Sequence, residues 1–356
     1  LAPTRAGGQE GAPVQLKQTA IITDGYGDRL AFTPGGLLAV ADGYQVHFFD
    51  GATKQHSVEA RYHTSTGELR VSDDGKVLLA GTLVVSGQDD RFKGPAQTRD
   101  VFLPGPRRHG GYEVKKSTWS TDGKLSVQGL GYRPGRCKNC KGCEKSYEGP
   151  KRLVMVVDGA TGARLARLEN KWLGPMAVSS TQIAVLDLNT LKIWNRADLP
   201  APEPPQEGKV RGNLGGASSQ KPLAPVLAVK EETTGWLMMR FSPREERLAA
   251  AEQQGWVTVK ETGKYATLHR WQAHEEATSA LAFHPTLPIL ATAGSDRKIH
   301  LWNIEGKPVK LATATLPPSE FDNPRPEDMA FSPEGSTLAV SPYSLDRKVV
   351  LYAFSN

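Results

Sequence analysis

One short pattern of apolar and polar positions recurs along the whole chain. It opens on a pair containing at least one hydrophobic residue and, in most copies, continues through a small polar residue to Pro, Asp or Gly. It reads AFTPGG at 31–36, RVSDDG at 70–75, TWSTDG at 118–123, MAVSST at 176–181, RFSPRE at 240–245, AFHPTL at 282–287 and AFSPEG at 330–335. Successive copies begin 39, 48, 58, 64, 42 and 48 residues apart. The shorter intervals suit a unit of four strands, and the longer ones the same unit with loops inserted.

The residues after each copy read as strands. Past the turn at Pro34, Gly35 and Gly36 comes the apolar run LLAVA (37–41), a second turn at Asp42 and Gly43, then the alternating run QVHFF (45–49). A continuous run, a turn and an alternating run predict strand, turn, strand. The abundance of turn formers, 36 Gly and 25 Pro in 356 residues, favours many short strands over long helices.

The clearest copy is LAFHPTLPILATAGSDRKIHLWN (281–303). Its segment LATAGSDRKIHLWN (290–303) resembles the core of the WD-repeat family, with Asn303 in place of the final Asp and Ala273-His274 where Gly-His is usual. A fragment, LKIWN (191–195), echoes it in the fourth unit. The resemblance implies an all-β fold, a seven-bladed β-propeller, and a hydrogen-bonded set of His274, Thr292, Asp296 and Trp302 that locks one blade. After the seventh signal only LAVSP (338–342) and KVVLYAF (348–354) remain, so the last blade lacks a strand. The run VQLKQTAII (14–22) is expected to complete it and close the ring.

On this layout residues 1–13 read as a linker or ragged N-terminus, and 14–356 as one propeller. Three insertions interrupt it, at 86–98, 129–151 and 199–222. The first two are expected after the second strand of a blade, on the face of the blade-to-blade connections. The third, rich in Pro, is expected on the opposite face as a surface excursion.

Charge changes the picture. Residues 91–152 hold 15 Lys and Arg against 5 Asp and Glu, whereas the remainder holds 29 against 33. A basic sector of this kind steers acidic partners. Arg107, Arg108, Lys115, Lys116, Arg133, Arg136, Lys138 and Lys141 are its candidate partner-binding residues. A protein partner, acidic in character, fits best. Nucleic acid fits less well, because stacking aromatics are sparse and form no recognition motif. The chain contains no run of 18 apolar residues, the length a membrane-spanning helix requires. Such a chain is expected to be soluble, either cytoplasmic or exported after signal removal.

All three cysteines, Cys137, Cys140 and Cys143, sit in CKNCKGC. Their spacing lets thiolates converge on one metal, and zinc with His109 as fourth ligand is one possibility. One disulfide with a free thiol, or three reduced thiols, are the alternatives. No nucleophile elbow, phosphate loop or zinc-protease motif occurs. His47 and His300 fall in alternating third strands, where either can face solvent. The expectation is a non-catalytic protein-interaction scaffold that binds through its insertion-bearing face. The alternatives are a metal- or redox-sensing module built on the cysteine loop, and a propeller enzyme with a central-channel site.

Overall fold

The computed structural model describes residues 14–355 except 24–26, 28, 43–44, 60–66, 82, 88–91, 93–96, 101–110, 121, 134–151, 202–220, 234, 319–324 and 344–347. Within these residues 28 strands form seven antiparallel sheets of four strands each. Each sheet is one blade. The first strands line a central channel: Arg29–Phe32, Leu69–Val71, Gly111–Trp119, Met176–Val178, Trp236–Phe241, Thr278–Phe283 and Arg325–Phe331 for blades one to seven. The fourth strands form the rim, and their alternating exposure, as in Thr267–Gln272, reflects one wet face.

Six blades follow chain order. The seventh is completed by the N-terminal strand Gln15–Ile22, which pairs antiparallel with Val349–Ser355. Gln15 lies opposite Ser355 and Ile22 opposite Val349. Ring closure by this segment is therefore as its strand character predicts.

The recurrent signal is the turn between the first and second strands, and its chemistry repeats. Ser72, Ser120, Ser242 and Ser332 each accept a backbone N–H five residues on, at 3.0–3.1 Å, while their own N–H bonds that residue's carbonyl. Thr33 does the same four residues on, and Ser179 three residues on. The next turn position needs positive φ. Gly36, Gly75, Gly123 and Gly335 supply it, and Glu245 adopts φ 58° in blade five. In blade six His284 replaces the hydroxyl residue. Its Nδ1 accepts the N–H groups of Thr286 and Leu287.

The apolar side chains pack between blades rather than within them. The core between blades seven and one joins Ile22, Leu30, Leu38, Val40 and Phe49 to Ala339, Val349 and Leu351, all nearly fully buried. Between blades five and six, Ala249, Ala251, Val257 and Val259 meet Leu281, Leu290 and Trp302. Because both faces of each inner strand are covered, third strands are buried along their length. His47 and His300 are accordingly buried, 5% and 4% exposed, not solvent-facing.

The connections also differ from expectation in one place. The segment 86–98 joins the third strand of blade two (Leu83–Ser86) to the fourth (Gln97–Asp100), so it leaves from the end opposite the blade-to-blade connections. The pattern of apolar residues places it instead after a second strand. The reason is a tight turn at Gly81, φ 61°, hidden inside an apolar run. Phe92 from this segment is buried against Phe48 in the core of blades one and two. The second insertion follows a second strand as anticipated, although residues 129–133 still belong to that strand, Leu125–Arg133. The third joins third and fourth strands of blade four. Its end is tied back where Leu223 N–H bonds Arg167 O, and Leu223 O accepts from Glu169 N and Trp194 Nε1.

Candidate functional site

Four of the seven first strands carry a β-bulge near the channel mouth. Register shifts occur at Val114/Lys116, Trp236/Met238, Thr278/Ala280 and Pro326/Asp328. Each inserts one extra residue: Lys115, Leu237, Ser279 and Glu327. A bulge twists its strand and re-aims a side chain. All four extra residues line one cavity of roughly 700 Å³ at the end formed by the blade-to-blade connections.

An ionic network crosses the channel here. The Arg240 guanidinium of blade five pairs with Glu68 at the entry to blade two, and its Nη2 lies 3.3 Å from Asp328 Oδ1 of blade seven. Glu68 also accepts from Arg70 Nη2 at 3.0 Å and from the Thr118 hydroxyl at 2.7 Å. Asp328 accepts the N–H groups of Leu30 and Met329, each at 3.0 Å. Arg29 completes the set, 2.7 Å from Glu327. Burial pushes the Arg70 guanidinium down to about 10 and lowers that of Arg240 as well, with Asp328 opposing both shifts. Arginine side chains are not deprotonated in proteins, so the network is a charged brace linking four blades.

Blade six holds the polar set implied by the family resemblance. His274 Nε2 is 2.8 Å from Thr292 Oγ1, which also accepts the Trp302 Nε1–H at 3.0 Å. His274 Nδ1 lies 3.1 Å from Asp296 Oδ1. In the neutral ring with Nδ1–H facing the carboxylate, Nε2 accepts from the Thr292 hydroxyl; in the protonated ring both nitrogens donate. Burial alone would raise the Asp296 carboxyl. The bond from His274 and the N–H groups of Lys298 and Glu275 outweigh burial and hold it at about 2. His300 stacks on His274, and its Nδ1 meets Thr313 Oγ1 at 2.9 Å. Burial, with the neighbouring His274 and Lys310, pushes His300 down to about 4. His274, Asp296 and His300 bring possible metal-ligand atoms within 4.8 Å of one another. Yet both His274 nitrogens are already bonded within the blade, so the arrangement serves packing better than coordination.

Of the basic residues singled out in sequence, the structure places Lys115 and Lys116 at the channel mouth. Arg133 ends a second strand, its backbone opposite Gly111. Arg107, Arg108, Arg136, Lys138 and Lys141 lie outside the described residues, as do Cys137, Cys140, Cys143 and His109. Sequence reasoning missed Arg29, Glu68, Arg240, Arg325 and Asp328. For Arg240 the local signal is a charge inside an otherwise apolar first strand, WLMMRF (236–241).

Residues 265–303 match the WD40 family, described as WD domain, G-beta repeat. A 59-residue segment is 37% identical to Denticleless protein homolog of Danio rerio, covering 16% of this chain and 9% of that protein. The crystal structure of Chaetomium thermophilum Raptor superposes with a TM-score of 0.63 at 13% identity, over 97% of this chain and 30% of that one. That likeness concerns the fold. This chain thus corresponds to under a third of the Raptor chain, and its matched segment to under a tenth of the Denticleless relative. The chain is thus a closed ring of seven four-stranded blades, a β-propeller, with a WD40 repeat spanning the last strand of blade five and the first three strands of blade six.

Proposed function

We propose that this propeller is a protein-interaction platform whose contact face is the mouth-bearing end of the ring. The observation that carries this is the placement of exposed apolar side chains. Trp172 (45% exposed) lies between blades three and four, and Leu188 (51%) between the second and third strands of blade four. Leu237 (37%) lies at the start of blade five's first strand, and Tyr343 (62%) at the end of blade seven's second. By topology all four belong to the same end. Large exposed apolar groups gathered around a cavity mark interaction surfaces. Arg152 adds to them, with its guanidinium 3.6 Å over the Trp172 ring. WD-repeat propellers typically act as scaffolds, which supports a binding role over a catalytic one. The cysteine loop at 129–151 leaves from this same end, so a metal-ordered loop would extend the face rather than replace it.

The test compares two sets of substitutions in affinity recovery from the native source. One combines Trp172→Ala, Leu237→Ser and Tyr343→Ala. The other combines Leu268→Ser and Val309→Ser, on fourth strands at the rim. Partners lost with the first set and kept with the second are expected. Equal recovery with both would remove the mouth-bearing end as the contact face.

A further inference from the structure

We infer that the channel mouth binds a linear acidic peptide that places carboxylates between Lys116 and Arg325 and an apolar side chain against Leu237, Met238 and Tyr343. This rests on the binding role proposed above and names the chemistry of the partner segment.

Charge within the cavity is unbalanced. Among the described residues its lining offers five cations, Arg29, Lys115, Lys116, Arg240 and Arg325, against three carboxylates, Glu68, Glu327 and Asp328. The carboxylates are already engaged. Glu68 and Asp328 hold Arg240, and Glu327 holds Arg29. Lys115 pairs with Glu113 on its own strand. Among the described residues, Lys116 and Arg325 have no carboxylate in salt-bridge contact. Lys116 is exposed by surface area, yet enough protein crowds its ammonium that burial lowers its pKa. A cation so placed gains from an incoming anion.

The shape argues for a peptide. A cavity of roughly 700 Å³ falls within the ~300–1,000 Å³ typical of ligand sites. The lining is mixed: Met176, Leu237, Met238, Pro326 and Tyr343 adjoin the charges. Nucleic acid fits poorly, because Tyr343 is the single aromatic residue of the lining among the described residues, where strand binding calls for stacking platforms. The bulges at Lys115, Leu237 and Glu327 add independent support, since they redirect side chains from three blades to one opening.

The experiment is fluorescence anisotropy with a labelled synthetic peptide alternating Glu with Leu and Phe. Its mirror with Lys for Glu and a labelled oligothymidylate are run beside it. The wild-type chain should bind the acidic peptide, and binding should weaken as salt rises. Lys116→Ala with Arg325→Ala should weaken it at least tenfold. Lys264→Ala with Lys307→Ala, at the opposite end, should leave it unchanged. Neither mouth substitution removes an ion pair among the described residues, and circular dichroism confirms the fold of each variant. Equal affinity for the Lys peptide, no effect of the mouth pair, or tighter binding of the oligothymidylate would each overturn the inference. If no peptide binds while the Trp172, Leu237 and Tyr343 set still abolishes partner recovery, the acidic-peptide inference fails and the platform survives.

Discussion

The Thr292 hydroxyl is the one oxygen on which two buried groups of blade six converge, and replacing it with an isosteric methyl isolates its contribution. Thr292 is fully buried, His274 3% exposed and Trp302 7% exposed. Thr292→Val keeps the volume but strips the partner from both His274 Nε2 and Trp302 Nε1. A buried polar atom left unpaired costs about 1–3 kcal/mol, so two together cost about 2–6 kcal/mol. Trp302→Phe removes one donor and trims the ring that packs edge-on to Trp271 at 5.5 Å. Its expected cost is about 2 kcal/mol, from one hydrogen bond and some lost apolar contact. In the double variant no indole N–H remains to be orphaned. The Thr292→Val penalty should therefore shrink there to the His274 share, giving a coupling of about 1–3 kcal/mol. Equilibrium urea unfolding followed by far-ultraviolet circular dichroism, with linear extrapolation, measures all four corners. Additive costs, or a Thr292→Val variant within about 0.5 kcal/mol of wild type, would refute the shared-hydroxyl argument.

Deleting residues 1–23 removes the strand opposite Val349–Ser355 and should lower the melting temperature clearly or cause aggregation; an unchanged melting curve would break the case for closure. Acid should destabilise the ring through His300. Its folded pKa of about 4 lies below the ordinary histidine value of 6.5, so the unfolded chain takes the proton first. That stability is complete above pH 6.5 and falls by about 3 kcal/mol as pH drops to 4. Asp296, held at about 2 against 3.8, adds a further loss between those values. Urea midpoints from pH 7.5 to 3 should show a slope that His300→Gln flattens between pH 6.5 and 4; parallel curves would contradict the assignment. For the loop bearing Cys137, Cys140 and Cys143, metal content by mass spectrometry is expected near one ion per chain, lost when all three become Ser. Three titratable thiols without metal would end that expectation.

The ring was legible because its signal is local. A hydroxyl that caps a turn and a Gly that takes positive φ lie within six residues, as Ser332 and Gly335 do, so each blade announces itself. The closing strand was legible by difference, since the last blade came up one strand short. Short strands without a polar break were not. Leu83–Ser86 follows Val77–Ala80 across Gly81, and the run reads as one strand. Alternation misled at His47 and His300, because a strand packed between two blades has no wet face. The channel mouth was illegible for a different reason. Arg29, Glu68, Arg240 and Asp328 are up to 299 residues apart, and only closure brings them together. Lys115 and Lys116 were found by counting charge, which locates a sector but not an orientation.

The pairing of Gln15 with Ser355 has a further consequence. In synthesis from the N-terminus, the strand Gln15–Ile22 must wait until Val349–Ser355 has been made. Blades one to six can assemble meanwhile, but blade seven is the last step and depends on both extremities. Truncation at either end therefore injures the same blade. Gln15 and Ser355 also lie side by side, at the end of blade seven away from the channel mouth. A domain tethered beyond either residue would hang from the same place and leave the mouth clear.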